Sequence, residues 1–186
     1  MPAWAPGVLD ELRTEQLLLE RPDERDRAEM RAMHADTEVM ATLGGIRTGR
    51  ESDAIFDRLV AHWGAHDFGY WMVRDPDSGR FAGRGGLRQL AVEGEPVVEV
   101  GYGLMSDYWG RGLATEIAEA CVRAAFEVIG LRSLVCFTAT TNQKSQRVMV
   151  KAGFRYEKDF VYAEIPHRLC RLDVERWSGE RWDGER

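Results

Sequence analysis

Long apolar runs are missing from this chain. No stretch approaches the roughly 20 consecutive apolar residues of a membrane-spanning helix, so no helical membrane segment is expected. Cysteine is scarce. Cys121, Cys136 and Cys170 are odd in number and lack metal-type spacing, which supports neither a disulfide framework nor a zinc site. All three fall in apolar-patterned stretches and read as reduced, buried thiols, with no histidine suggested to polarise a catalytic one. An excess of positive charge is also absent. Lys and Arg total 25 against 31 Asp and Glu, a formal net charge of −6, which argues against general nucleic-acid binding and mildly suits a cationic acceptor such as an amine. The first six residues show no basic region followed by an apolar stretch, so no signal peptide is read and a cytoplasmic location is expected. His34, His62, His66 and His167 form no metal-ligand pattern, so no metal is expected. Both the dinucleotide signature G-x-G-x-x-G and a Lys-Ser or Lys-Thr pair after glycines are lacking.

What remains is an ordinary globular composition, 44% apolar and 30% charged, in 186 residues, enough for one domain around a single core. Residues 1–12 and 177–186 read as flexible termini around a single domain, 13–176. Strand-like runs are expected at 13–20, 69–74, 80–87, 97–104, 134–138, 156–165 and 168–175. Helical patterns cover 23–35, 51–66, 112–129 and 143–151. Asp75-Pro-Asp-Ser-Gly79 is a strong hairpin turn, residues 93–96 form another, and Pro166-His167 is read as the last pivot. Gly44, Gly45 and Gly49 punctuate a loop. Trp63, Tyr70 and Trp71 read as core or cleft lining. Hairpins and crossovers mix in this order, which makes the fold class α+β, a layered arrangement with one sheet of mixed direction covered by helices.

The most informative segment is Tyr108-Trp109-Gly110-Arg111-Gly112-Leu113-Ala114-Thr115-Glu116, which joins a strand to an amphipathic helix. A helix start offers about four unpaired N–H groups and a partial positive charge, the ingredients of a phosphate site. Gly110 and Gly112 allow a sharp turn and close approach, and Arg111 adds a cation. A plain loop uses glycine in the same way. Downstream, Asn142-Gln143-Lys144-Ser145 opens another helix, which closes at Lys151-Ala152-Gly153-Phe154.

Together these segments resemble the GNAT superfamily of N-acetyltransferases. Gly112 and Ala114 fill the two small positions of its pyrophosphate loop, and Trp109 stands where Gln or Arg is usual. Glu99-Val-Gly-Tyr102, Tyr108 to Glu116, Asn142-x-x-Ser145, Lys151-x-Gly-Phe154 and the opening Thr14 to Leu19 are similar to its ribosomal-protein alanine/serine N-terminal acetyltransferase branch. The resemblance spans about residues 13–175. It implies a mostly antiparallel mixed sheet, flanked by helices and splayed between the fourth and fifth strands. It also implies acetyl-CoA as cosubstrate, an amine acceptor, no nucleic acid or membrane partner, and a monomer or homodimer.

Cofactor contacts are then expected from Leu104, Met105, Arg111, Gly112, Leu113, Ala114, Thr115 and Asn142, with a backbone N–H at Leu104 or Met105 polarising the carbonyl. Asn142 equally suits a helix cap. The family's usual proton-donating Tyr, seven residues after this Asn, is replaced by Met149, which has no proton to give. Ser145 takes that role in the resembled branch, a local backbone bond being the alternative. Glu99 is a base for the incoming amine, directly or through water, or else an ordinary strand carboxylate. Residues 34–48 fall where the family reads its acceptor. The expected activity is acetyl transfer to a primary amine, first a protein N-terminal α-amine, by direct transfer in a ternary complex. A small-molecule amine acceptor and a non-catalytic acyl-CoA-binding module are the alternatives.

Overall fold

The computed structural model describes residue 5 and residues 7–177. Its eight strands form one sheet in the order β1-β2-β3-β4-β5-β6-β8-β7. The strands are β1 (Glu11–Arg13), β2 (Leu18–Glu20), β3 (Tyr70–Arg74), β4 (Phe81–Val92), β5 (Glu95–Leu104), β6 (Ser133–Ala139), β7 (Arg155–Tyr162) and β8 (Ile165–Asp173). Neighbours run antiparallel except β5 and β6, which are parallel. The helices are α1 (Arg27–Ala35), α2 (Thr37–Met40), α3 (Gly49–His66), α4 (Leu113–Arg123) and α5 (Gln143–Lys151). Among the described residues no helix is long and apolar enough to cross a membrane.

Local chemistry sets the helix ends. Thr48 caps α3 in a capping box with Glu51, whose carboxylate receives the Thr48 N–H at 2.7 Å. Asp23 and Asp26 make the same reciprocal arrangement one turn before α1. Phe56, Leu59 and Trp63 recur at helical spacing and are buried. Met30, Phe56, Leu59, Tyr70 and Met72 pack α1 and α3 onto one face of the sheet. Leu87, Val100, Leu113, Ile117, Cys121 and Met149 join α4 and α5 to the other face.

Several sequence expectations change. The run 13–20 is a hairpin: Thr14 N–H donates to Leu17 O at 3.0 Å, and β1 pairs with β2. Residues 7–12, read as part of a flexible lead-in, carry a turn and β1; Leu9 is buried, and its carbonyl accepts the Trp71 indole N–H at 2.7 Å. The other residues of the expected termini, 1–4, 6 and 178–186, lie outside the described ones. β4 and β5 are longer than expected and meet at a tight Glu93-Gly94 turn, both residues having positive φ (49° and 88°). The last hairpin turns at Ala163-Glu164 (φ 48° and 64°), so Pro166 and His167 lie inside β8. The helix from 113 does not stay α-helical to 129. Residues 124–129 widen into a π-type turn in which Gly130 N–H reaches Ala125 O, and Gly130 ends it at φ 77°. The expected loop at 34–48 contains α2 and is tied down by Arg47 N–H on His34 O at 2.8 Å.

Candidate active site

β5 and β6, the fourth and fifth strands of the sequence reading, are in register only at Glu99 and Val135. Beyond that point the strands part, and α4 and α5 begin just after their C-terminal ends. Strand register decides which backbone groups face the opening. Met105 N–H donates to Ala82 O at 2.9 Å, so hydrogen-bonded pairs with β4 fall on the odd residues of β5. Alternation then turns the N–H groups of Tyr102 and Leu104 toward the opening. The Leu104 N–H therefore faces the opening. Met105 does not keep its expected place as a donor, because its N–H is already spent.

α4 starts at Gly112, which sits at φ 82°, a conformation that favours glycine. Among the described residues no acceptor meets the N–H groups of Arg111, Gly112, Leu113 or Ala114. The Thr115 N–H, by contrast, bonds Gly112 O at 2.9 Å, so any part for Thr115 falls to its side chain. Arg111 lies exposed over the Tyr108 ring, and Lys144 stands 5.2 Å from the Trp109 ring centroid. The Trp109 indole N–H binds Leu104 O at 2.8 Å, so the family's unusual residue anchors the strand end. Glu116 is structural: its carboxylate takes the backbone and side-chain N–H groups of Gln16 at 2.8 and 2.9 Å.

On the same side, Asn142 caps α5, its Oδ1 accepting the Ser145 N–H at 3.1 Å. Ser145 Oγ lies 3.0 Å from the Tyr102 hydroxyl. Burial, then the adjacent Cys136, pushes the Tyr102 pKa well above the ordinary phenol value, so this phenol keeps its proton at ordinary pH. Sequence reasoning missed Tyr102. Only the fold shows that a strand residue 43 positions away meets the start of α5. Met149 is buried in the core, and the Cys136 and Cys121 thiols are pushed up by burial, which makes both poor nucleophiles.

Glu99 lies on the opposite face of β5 from Tyr102, as strand alternation requires. It is only 5% exposed. Arg88 Nε and Nη2 reach its Oε2 at 2.8 and 2.7 Å, and the Tyr70 hydroxyl lies 3.4 Å from the same oxygen. No donor among the described residues meets Oε1. The Tyr70 hydroxyl lies against Gly101, where an added Cβ would be 1.7 Å from it. Arg84 stacks on the Tyr70 ring at 5.2 Å, and the nearby His34 shares a 2.8 Å hydrogen bond with Ser52. Arg84 and Arg88 were not read as site residues, Tyr70 was read only as core or cleft lining and His34 only as part of the segment 34–48, because the convergence of Tyr70, Arg84 and Arg88 depends on pairing between β3, β4 and β5. Among the described residues no cluster of three or more metal-ligating side chains occurs.

His34 carries a stability prediction. Burial, reinforced by Arg84 and Arg47, lowers its pKa from 6.5 to about 4. Between those values the unfolded chain binds a proton that the folded chain refuses, so stability falls as pH falls through that window. From pH 7 to pH 5 this single group is expected to cost about 2 kcal/mol. Urea denaturation of wild type and His34→Asn at both pH values checks it: the variant should lose distinctly less, and an equal loss would refute the assignment.

The chain is similar in sequence and fold to known proteins. The acetyltransferase (GNAT) domain family matches residues 16–155. The uncharacterized protein YkkB of Bacillus subtilis is 28% identical over 151 residues, covering 78% of this chain and 85% of its own. The ribosomal-protein-S5-alanine acetyltransferase of Vibrio fischeri superposes with a TM-score of 0.73 at 18% identity, covering 91% of this chain and 99% of its own. An aminoglycoside acetyltransferase in complex with coenzyme A gives 0.71 at 15%, covering 86% and 96%. At those identities the two structures show a common fold. The family match covers most of the chain, the sheet is mixed with the expected opening, and the chain belongs to the GNAT family of acetyltransferases, which use acetyl-CoA.

Proposed function

We propose that this protein transfers an acetyl group from acetyl-CoA directly to a primary amine, the α-amine of a protein N-terminus, within a ternary complex. One observation carries the direct-transfer reading: Glu99 and the Tyr102–Ser145 pair stand on opposite faces of β5 at the strand opening. An amine attacking a carbonyl enters from one side and the leaving sulfur departs from the other. A carboxylate on one face and hydroxyls on the other match those needs. The preference for an N-terminal amine rests on the motifs shared with the ribosomal-protein branch and on the common fold with the S5-alanine enzyme.

The α4 start fits a pyrophosphate. It has N–H groups without acceptors among the described residues, a left-handed glycine with open space at its Cβ, and flanking Arg111 and Lys144. Acetyl-CoA supplies the activated acetyl thioester. Arg111, Gly112, Leu113 and Ala114 hold its phosphates, and Asn142 fixes the start of α5. Leu104 N–H polarises the carbonyl. Glu99 Oε1 orients the amine and receives its proton, directly or through water, while Arg88 and Tyr70 fix Oε2. Ser145, backed by Tyr102, supplies a proton to the departing sulfur.

Calorimetric titration with acetyl-CoA tests the phosphate part. Gly112→Val forces a β-branched residue into a left-handed conformation at the phosphate contact. Affinity should fall about tenfold or more, the equivalent of one lost charge-assisted contact. Unchanged affinity would place the phosphates elsewhere.

A further inference from the structure

The chain as a whole is acidic, yet the acceptor face of β5 is locally basic. Arg84 and Arg88 lie close to one buried carboxylate, Glu99, and Arg84 and Arg47 lie close to His34. Two of these arginines are occupied. Arg88 is paired with Glu99, and Arg47 donates to the carbonyls of Gly44 and Gly45 at 2.6 and 2.8 Å. Arg84 is different. Among the described residues no carboxylate lies within ion-pair distance of it, and its Nε is buried without an acceptor. Its guanidinium lies 5.2 Å from the Tyr70 ring centroid, and the Tyr70 hydroxyl reaches toward Glu99. A half-buried guanidinium held off any carboxylate is costly unless something else takes its charge.

His34 adds a second unpartnered group. Its Nε2 is buried with no hydrogen-bond partner among the described residues. Its Nδ1 faces Ser52 Oγ, and the Ser52 hydroxyl proton has no other acceptor there. The hydroxyl therefore donates to Nδ1, which leaves the proton of the neutral ring on Nε2. Arg84 and His34 thus both carry buried N–H donors without an acceptor among the described residues, and Arg84 lies close to Glu99.

We infer that the acceptor carries a carboxylate a few atoms from its amine, and that Arg84, assisted by His34, binds that carboxylate while Glu99 receives the amine. The inference deepens the acetyltransferase reading and rests on it. The carboxylate has two possible sources with the same chemistry: an acidic side chain following the N-terminal residue of a peptide, or the α-carboxylate of a free amino acid.

The test compares two matched pairs as acceptors with wild-type protein and acetyl-CoA. One pair is peptides beginning Ser-Glu and Ser-Gln with identical tails; the other is serine and serinamide. In at least one pair the carboxylate member should be favoured by ~10- to 100-fold in kcat/KM, the value of a hydrogen-bonded charge contact. The favoured pair identifies the source. Arg84→Gln should erase the preference through KM, and Arg84→Lys should restore part of it. Equal or better use of the neutral members overturns the inference and leaves the acetyltransferase reading standing. If no acceptor is turned over, that reading fails instead, and binding of N-acetylserine against N-acetylserinamide still decides the role of Arg84. Tighter binding of the acid by wild type alone supports it, and equal binding refutes it. The wild-type ranking needs no variant to fold.

Discussion

Ser145→Ala should lower kcat by roughly 10- to 100-fold while acetyl-CoA affinity stays within about twofold, and Tyr102→Phe should do nearly the same. The two hydroxyls are 3.0 Å apart at the start of α5, and the family's usual Tyr position is occupied by buried Met149. An alcohol is a weak acid, so the effect is expected at or below the ~100-fold floor usual for general acid catalysis. Groups that act as one unit do not add, so the double variant should be little slower than either single one. Phe preserves the Tyr102 ring against the core, which keeps packing out of the comparison. Steady-state kinetics with calorimetric affinities for all three variants is the check. Unchanged turnover in Ser145→Ala would remove Ser145 from the mechanism. A purely structural role for Tyr102 would appear as lost stability at normal kcat.

Gly101→Ala is expected to destabilise the sheet strongly. Its Cβ would lie 1.7 Å from the Tyr70 hydroxyl and 2.7 Å from the ring carbon bearing it. The ring has little room to retreat, because Tyr70 is packed with Met30, Phe56, Leu59 and Met72. Overpacking of this kind costs about 1–3 kcal/mol, with the upper end expected here. For a chain of this length that corresponds to a Tm lower by roughly 5–10 °C. Displacing Tyr70 also disturbs Glu99 and the perch of Arg84, so acceptor turnover should fall with stability. Adding Tyr70→Phe removes the closest clash and should restore part of the lost Tm. A fully stable Gly101→Ala protein would show that Tyr70 does not lie over this strand.

Much of the side proposed to hold phosphate was marked in the sequence because its signals are local. A left-handed glycine with a cation beside it and an Asn cap are each signals within a few residues of a helix start, and the structure places Gly112 at the start of α4 and Asn142 at the start of α5. The side proposed for the acceptor was poorly legible. Arg84, Arg88 and Tyr70 meet Glu99 through pairings among β3, β4 and β5 that no local pattern specifies. Tyr102 was quoted within a motif, but its hydroxyl partner comes from another element. Met105 failed as a donor for the same reason, since its partner, Ala82, lies across the sheet. Turn chemistry explains the errors in strand boundaries. The Thr14–Leu17 turn has neither glycine nor proline, and Ala163-Glu164 adopts positive φ without either, while Pro166 drew the expected pivot into a strand.

The most direct test of the central claim is mass spectrometry of acceptors after incubation with the protein and acetyl-CoA. The acceptors are peptides beginning with Ser, Ala and Met, polyamines and aminoglycosides. The account predicts the gain of a single acetyl group on a peptide α-amine, absent without protein. Acetylation of the polyamines or aminoglycosides alone would contradict the N-terminal reading, and no acetylation of any amine, with acetyl-CoA bound, would contradict a catalytic role.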